Sequence, residues 1–253
     1  MSVMTTDART VAAPARTIGR YDRAFYSGIA IAAAALAIIG FAPTYYFRFF
    51  DGGPHATISG GPFTSLVHIH GALFTAWVLL FVAQTALIST RRVAVHRKLG
   101  TFGAVLAGAM VIAGVSAGIA MGRRGGTAPG IDPLSFMAIP LGDMVMFAGF
   151  ITAAILRRRD KESHKRLMLL AYASILAAPA ARLPGVLPLG PLGFYAIGFL
   201  IVAAGVIYDY LSRGTVHRVY VWGGALLFLS VPARLMLSGT AIWKAIAQAL
   251  ISL

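Results

Sequence analysis

The sequence predicts an all-α polytopic membrane protein, a bundle of about seven transmembrane helices with its N-terminus in the cytoplasm. Three observations carry that expectation. Of 253 residues, 58% are hydrophobic and only 12% are charged, whereas soluble domains are about 45–50% apolar and about 25% charged. The apolar residues gather in runs of roughly 20, the length that crosses a bilayer as a helix, and the mean hydropathy is +0.78. The basic residues behind the net charge of +14 sit in short clusters between those runs. That is the pattern of a membrane protein, not of a basic face that binds nucleic acid.

Taken in order, residues 1–24 are polar, carry Arg9, Arg16 and Arg20, and read as a cytoplasmic segment. The first apolar run, 25–47, is too long for a signal peptide and is expected to stay as a helix. Further runs follow at 63–90, 99–121, 135–156, 167–188, 191–212 and 219–238. Only a Pro/Gly-rich turn, Pro184-Gly185 through Pro191, parts the fifth run from the sixth, and Pro179 and Pro184 are expected to kink the fifth. Residues 25–238 thus form the transmembrane domain. The tail, 239–253, is apolar but interrupted by Lys244 and Gln248, and reads as a short interfacial helix. The connections are short, so function is expected within the bundle or at its two surfaces.

Orientation follows from Lys and Arg. With seven crossings, 16 of the 22 basic residues fall on one side, at the N-terminus and in the 91–98, 157–166 and 213–218 loops. Arg48, Arg123, Arg124, Arg182, Arg234 and Lys244 fall on the other. The basic-rich side is read as cytoplasmic, which implies a bacterial inner-membrane protein with the lipid bilayer as its constant partner. Tyr45, Tyr46, Phe47, Phe49 and Phe50 crowd the outer end of the first run, and Tyr208, Tyr210, Tyr220 and Trp222 mark the inner interface.

The chain has no cysteine. This excludes disulfides, thiolate ligands, iron–sulfur clusters and covalent c-type haem. Histidines and carboxylates remain as ligands. Three inner turns look alike: Val95-His96-Arg97, Ser163-His164-Lys165 and Val216-His217-Arg218. Each sets a His before a basic residue at the start of an outward-running helix. His96, His164 and His217, with Asp209 nearby, form a candidate first-row metal or haem site by ligand type. The same histidines also suit a solvated interface, or anionic headgroups held by His-Arg pairs.

A second polar cluster lies toward the outer side. Counting 1.5 Å per residue from the inner boundary puts Asp143 at roughly 20 Å, Arg182 and Arg234 at roughly 25 Å, and His70 at about 30 Å with His68 beyond it. Charges at such depth are costly and usually functional. One carboxylate faces two guanidinium groups, so one Arg is expected to pair with Asp143. The other favours an anionic ligand. Asp143, Arg182, Arg234, His68 and His70 are therefore the candidate ligand-binding residues. The alternative is an Asp–Arg pair that only locks the bundle.

The runs His68-Ile-His70-Gly71, Val95-His96-Arg97-Lys98-Leu99-Gly100 and His164-Lys165-Arg166-Leu167-Met168 resemble a group of bacterial multi-pass membrane proteins of unassigned activity. The resemblance extends to Tyr208-Asp209, Trp222-Gly223-Gly224, Pro232-Ala233-Arg234 and Ser238-Gly239-Thr240. The His164–Met168 run is also similar to membrane proteins linked to assembly of haem–copper oxidases. That likeness implies a haem or transition-metal cofactor in a redox or oxidase-assembly setting, with respiratory-chain components as partners. A binder or enzyme of anionic lipid or isoprenoid headgroups, and a small-solute transporter, stand beside it. A retinal protein is excluded, because no lysine lies between Val219 and Ser238.

Overall fold

The computed structural model describes residues 21–47, 50, 63–128 and 130–253. Among these there is no strand. Ten α-helices follow in order: α1 (Asp22–Phe41), α2 (Ser65–Ser89), α3 (Val93–Arg123), α4 (Pro133–Phe136), α5 (Ala138–Leu156), α6 (Lys161–Ser174), α7 (Ala177–Ala180), α8 (Gly190–Arg213), α9 (Arg218–Ser238) and α10 (Ala241–Ser252). A π-helical turn, Ala42–Tyr46, extends α1, and a short 3₁₀ turn, Leu187–Leu189, precedes α8. Arg9, Arg16, Arg20, Arg48 and Phe49 lie outside the described residues.

Six segments are long and apolar enough to cross a membrane: Asp22–Tyr46, α2, α3, Pro133–Leu156, Leu187–Arg213 and α9. Their large apolar side chains, such as Ile31, Leu79, Ile112, Leu200 and Phe228, point outward and are exposed, as lipid-facing residues should be. The protein is a multi-pass membrane helix bundle.

The fifth run departs from its expected form. A helix over 167–188 is replaced by α6, a break at Ile175–Leu176, the single turn of α7 and a non-helical stretch to the 3₁₀ turn. The helix begins earlier because Asp160 caps it, its carboxylate accepting from the backbone N–H groups of Glu162 and Ser163 at 3.1 Å each. Hydrogen bonds from Ser163 hold that carboxyl below its usual range. The break falls before Pro179, which has no N–H to continue the ladder, and Pro184 lies beyond the last turn. The broken segment nevertheless runs the height of the bundle beside α1. At one end Arg166 and Lys165 meet residues of α1 and α8. At the other, Arg182 stacks over Phe41, 4.5 Å from its centroid.

Position explains why so polar and broken a segment is stable. α6 packs on α5, α8 and α9, α7 packs on α1 and α8, and Tyr172 of α6 meets Trp77 and Phe81 of α2. From Leu169 to Ala177 every residue is buried. The other helices surround this strut. Irregular backbone at membrane depth is tolerated where protein, not lipid, encloses it.

The remaining helices start and stop for local reasons. The His217 Nδ1 accepts from the Val219 N–H at 3.2 Å and caps α9. Gly214 closes α8 in the left-handed region, φ 76°, where a side chain would be strained. Thr240 caps α10, which docks on α3 and α4: the Trp243 indole donates to the Leu134 carbonyl at 2.8 Å, and Arg123 donates to the Ile251 carbonyl at 2.9 Å.

Candidate functional site

The π-helical turn supplies the first wall of a cavity of about 290 Å³ at the end of the bundle away from the basic loops. Insertion of one residue into a helical turn re-aims the side chains around it, and such turns recur at functional sites. Here it brings Thr44, Tyr45 and Tyr46 onto the cavity. Tyr45 seats against α2 through the His68-Ile-His70-Gly71 run. Its hydroxyl reaches His68 Nδ1 at 3.4 Å, and its ring occupies the place where a Cβ on Gly71 would fall, 2.8 Å from its Cζ. His68 thus positions Tyr45, whereas His70 lines the cavity.

The lining is mostly apolar, with Phe41, Phe74 and Phe194 among its rings, and the polar groups on it divide into satisfied and unsatisfied ones. Asp143 of α5 is satisfied. It is 7% exposed, and its Oδ1 accepts from Arg234 Nη1 at 2.7 Å and from the Tyr195 hydroxyl at 2.8 Å. Arg234 of α9 donates further to the Ile139 carbonyl, the Ser230 carbonyl and the Ser230 hydroxyl. Gly142 makes this pair: a Cβ there would collide with Arg234 Cδ. The second guanidinium, Arg182, has no carboxylate partner among the described residues. Its Nη1 donates to the Ala178 carbonyl at 2.6 Å, and its plane covers the Phe41 ring.

Among the described residues, four polar atoms of cavity-lining residues are buried without a hydrogen-bond partner: Thr44 Oγ1, His70 Nδ1, Tyr172 Oη and Arg182 Nε. His70 stacks on Phe74 at 4.2 Å and bonds to the Ala113 backbone through its remaining edge. Each such orphan costs about 1–3 kcal/mol if nothing completes it, which makes this cavity the candidate site. Sequence reasoning finds His70 and Arg182 by type and depth. It misses Thr44 and Tyr172, because a hydroxyl in an apolar run carries no signal until its lack of a partner is seen.

The other end of the bundle holds the inner residues singled out by sequence. His96 and His164 face each other with ring centroids 6.5 Å apart, and His164 Nδ1 lies 2.8 Å from the Ala154 carbonyl. His217 spends its Nδ1 on the α9 cap. Burial, then the Arg166 guanidinium, lower its imidazole pKa. Asp209 is fully buried, and its carboxylate is engaged: Arg166 Nε and Nη2 donate to it at 2.8 and 2.5 Å, Arg213 Nη1 at 3.2 Å and the His217 backbone N–H at 3.2 Å. Among the described residues no group of three His, Asp or Glu side chains is placed to hold a metal ion. His96, His164, His217 and Asp209 therefore do not come together as one such group among the described residues.

What occupies that end is an ion network. Arg166, 0% exposed, also donates to Glu162 at 2.7 Å. Lys165 binds Glu162 and Asp22, and Arg213 binds both oxygens of Asp22 at 2.8 Å. Three acids, Asp22, Glu162 and Asp209, meet three bases, Lys165, Arg166 and Arg213, so the cluster is neutral. It ties α1, α6 and α8 together.

The fold and its two polar clusters define a helical membrane protein with an apolar cavity opening among its helices and, on the wall, an arginine with no carboxylate partner among the described residues. No family model, curated protein or solved structure matches the chain.

Proposed function

We propose that the protein binds a membrane-soluble amphiphile with a negatively charged head, the head held by Arg182 and the apolar body lying along the cavity wall. The observation that carries this reading is the asymmetry of the two guanidinium groups. Arg234 is paired with the Asp143 carboxylate, while Arg182, on the cavity wall, has no acid beside it among the described residues. A guanidinium in low dielectric favours a planar anion that takes two N–H groups at once. Arg182 spends Nη1 on a carbonyl and keeps Nε and Nη2 for such a fork. Carboxylate and phosphate heads share this chemistry. The oxidase-assembly and transporter readings find no comparable support in the geometry.

The test is extraction of the protein purified in mild detergent, with mass spectrometry of what it retains. An anionic amphiphile is expected in stoichiometric amount. Arg182→Gln should lower its affinity about tenfold to a hundredfold, the worth of a charge-assisted hydrogen bond, with thermal stability nearly unchanged. Carboxylates and phosphates separate by mass. A protein that retains no anion, or an Arg182→Gln variant that retains it equally well, overturns the proposal.

A further inference from the structure

Resting on that reading, a second feature of the cavity narrows the ligand. Tyr172 is 1% exposed, and its hydroxyl has no partner among the described residues. Its ring packs edge-on to Trp77 at 5.2 Å and against Phe81 at 4.7 Å. Trp77 stands at the middle of α2 (Ser65–Ser89), so Tyr172 marks the midplane of the bundle and the floor of the cavity. Arg182 lies ten residues further along the same strut, beyond the break at Ile175–Leu176 and the turn of α7. The cavity therefore has the cation toward its interfacial end and a lone phenol at its deep end.

A plain alkyl chain standing in this cavity would satisfy Arg182 and leave Tyr172 as it is, with an unmatched hydroxyl in an apolar surround. Aromatic neighbours offer that hydroxyl no acceptor. His70 Nδ1, seven residues outward from Trp77 and so about 10 Å nearer the interface, adds a second unmatched atom of the opposite kind, an acceptor. We propose that the chain of the ligand carries an oxygen function, a hydroxyl or carbonyl, distant from its charged head, and that Tyr172 is the specificity-determining residue that selects it. A phenol buried without a partner is a discriminating device, because an analogue lacking the matching group leaves it unpaired.

The experiment compares stearate with a hydroxystearate bearing its hydroxyl in the distal half of the chain. Both compete for the full protein in lipid nanodiscs, with occupancy read by native mass spectrometry. The wild type is expected to prefer the hydroxylated chain by up to about tenfold. Tyr172→Phe should abolish that preference by weakening only the hydroxylated chain, and without ligand it should unfold at the same or a higher temperature, since it removes an orphaned hydroxyl. Equal affinities in the wild type overturn the proposal, as does a Tyr172→Phe variant that weakens both chains alike or keeps the preference; water on the phenol would give the first of these. Stearate binding without preference leaves the charged-head reading standing. Failure of both chains to bind overturns the proposal for Tyr172, while the charged-head reading is decided separately by whether the purified protein retains an anion.

Discussion

Arg182 and Arg234 occupy one level of the bundle with opposite fates, and a glycine decides between them. Arg234 reaches Asp143 through the space left by Gly142. Gly142→Ala should push that side chain aside and strand the buried Asp143 carboxylate, at about 3–5 kcal/mol. Thermal unfolding in detergent would show it as a lowered midpoint. Because the harm runs through Asp143, adding Asp143→Asn to Gly142→Ala should cost much less than the sum of the two single changes. Additive losses would mean that Gly142 acts by packing alone. The depth of these charges is legible in the sequence, since residues can be counted from the basic loops. Which arginine is paired is not, because that depends on the rotational phase of α5, α7 and α9. Asp209 shows the same gap. From sequence it reads as a ligand beside histidines, and its true partner, Arg166, lies 43 residues away on another helix.

Among the elements, the six lipid-facing helices announce themselves by unbroken apolar length, and their order and boundaries follow with small shifts. The central strut does not. Hydropathy assumes that a spanning segment meets lipid, so it places the fifth helix at its most apolar stretch, 167–188. The segment begins instead in the charged run Lys161–Arg166, because α1 and α8 supply counter-charges that a window over one segment does not see. The inner histidines divide by element too. His217 belongs to α9 as a cap, and this makes a pH effect. Its folded pKa is lowered, so its contribution is present above the unfolded value near 6.5 and is lost as pH falls toward and through the folded value. Protonation also removes the Nδ1 acceptor from the Val219 N–H. Between pH 7.5 and 5 the wild type should lose more thermal stability than His217→Asn, whose amide caps without titrating. Parallel losses in the two proteins would assign the pH effect to other groups.

For the whole molecule, the division of charge sets the direction of insertion. The basic loops lie at the end that holds the neutral ion network, and the cavity opens at the other. If the basic end is cytoplasmic, a reporter fused after Leu253 should signal the outer side and one placed in the 157–160 turn the inner side. The same signal from both would mean that the broken strut does not traverse the membrane. The proposed amphiphile would then enter from the outer side.

A largely buried helix that begins in a charged run also constrains how the protein is made. When Lys161–Ser174 leaves the ribosome, Asp209 and Arg213 are not yet synthesised, and of its charged partners outside α6 only Asp22 is available. Insertion scales charge about 2.5–3.5 kcal/mol for each ionised side chain held at the centre of a bilayer helix, though near an end the cost is smaller. The strut is therefore poorly suited to partition alone. It can settle between its neighbours only after α8 and α9 arrive. The nascent chain thus passes through a stage in which its eventual centre is its least membrane-committed part, and biogenesis should depend on whatever shelters that segment until the C-terminal helices close around it.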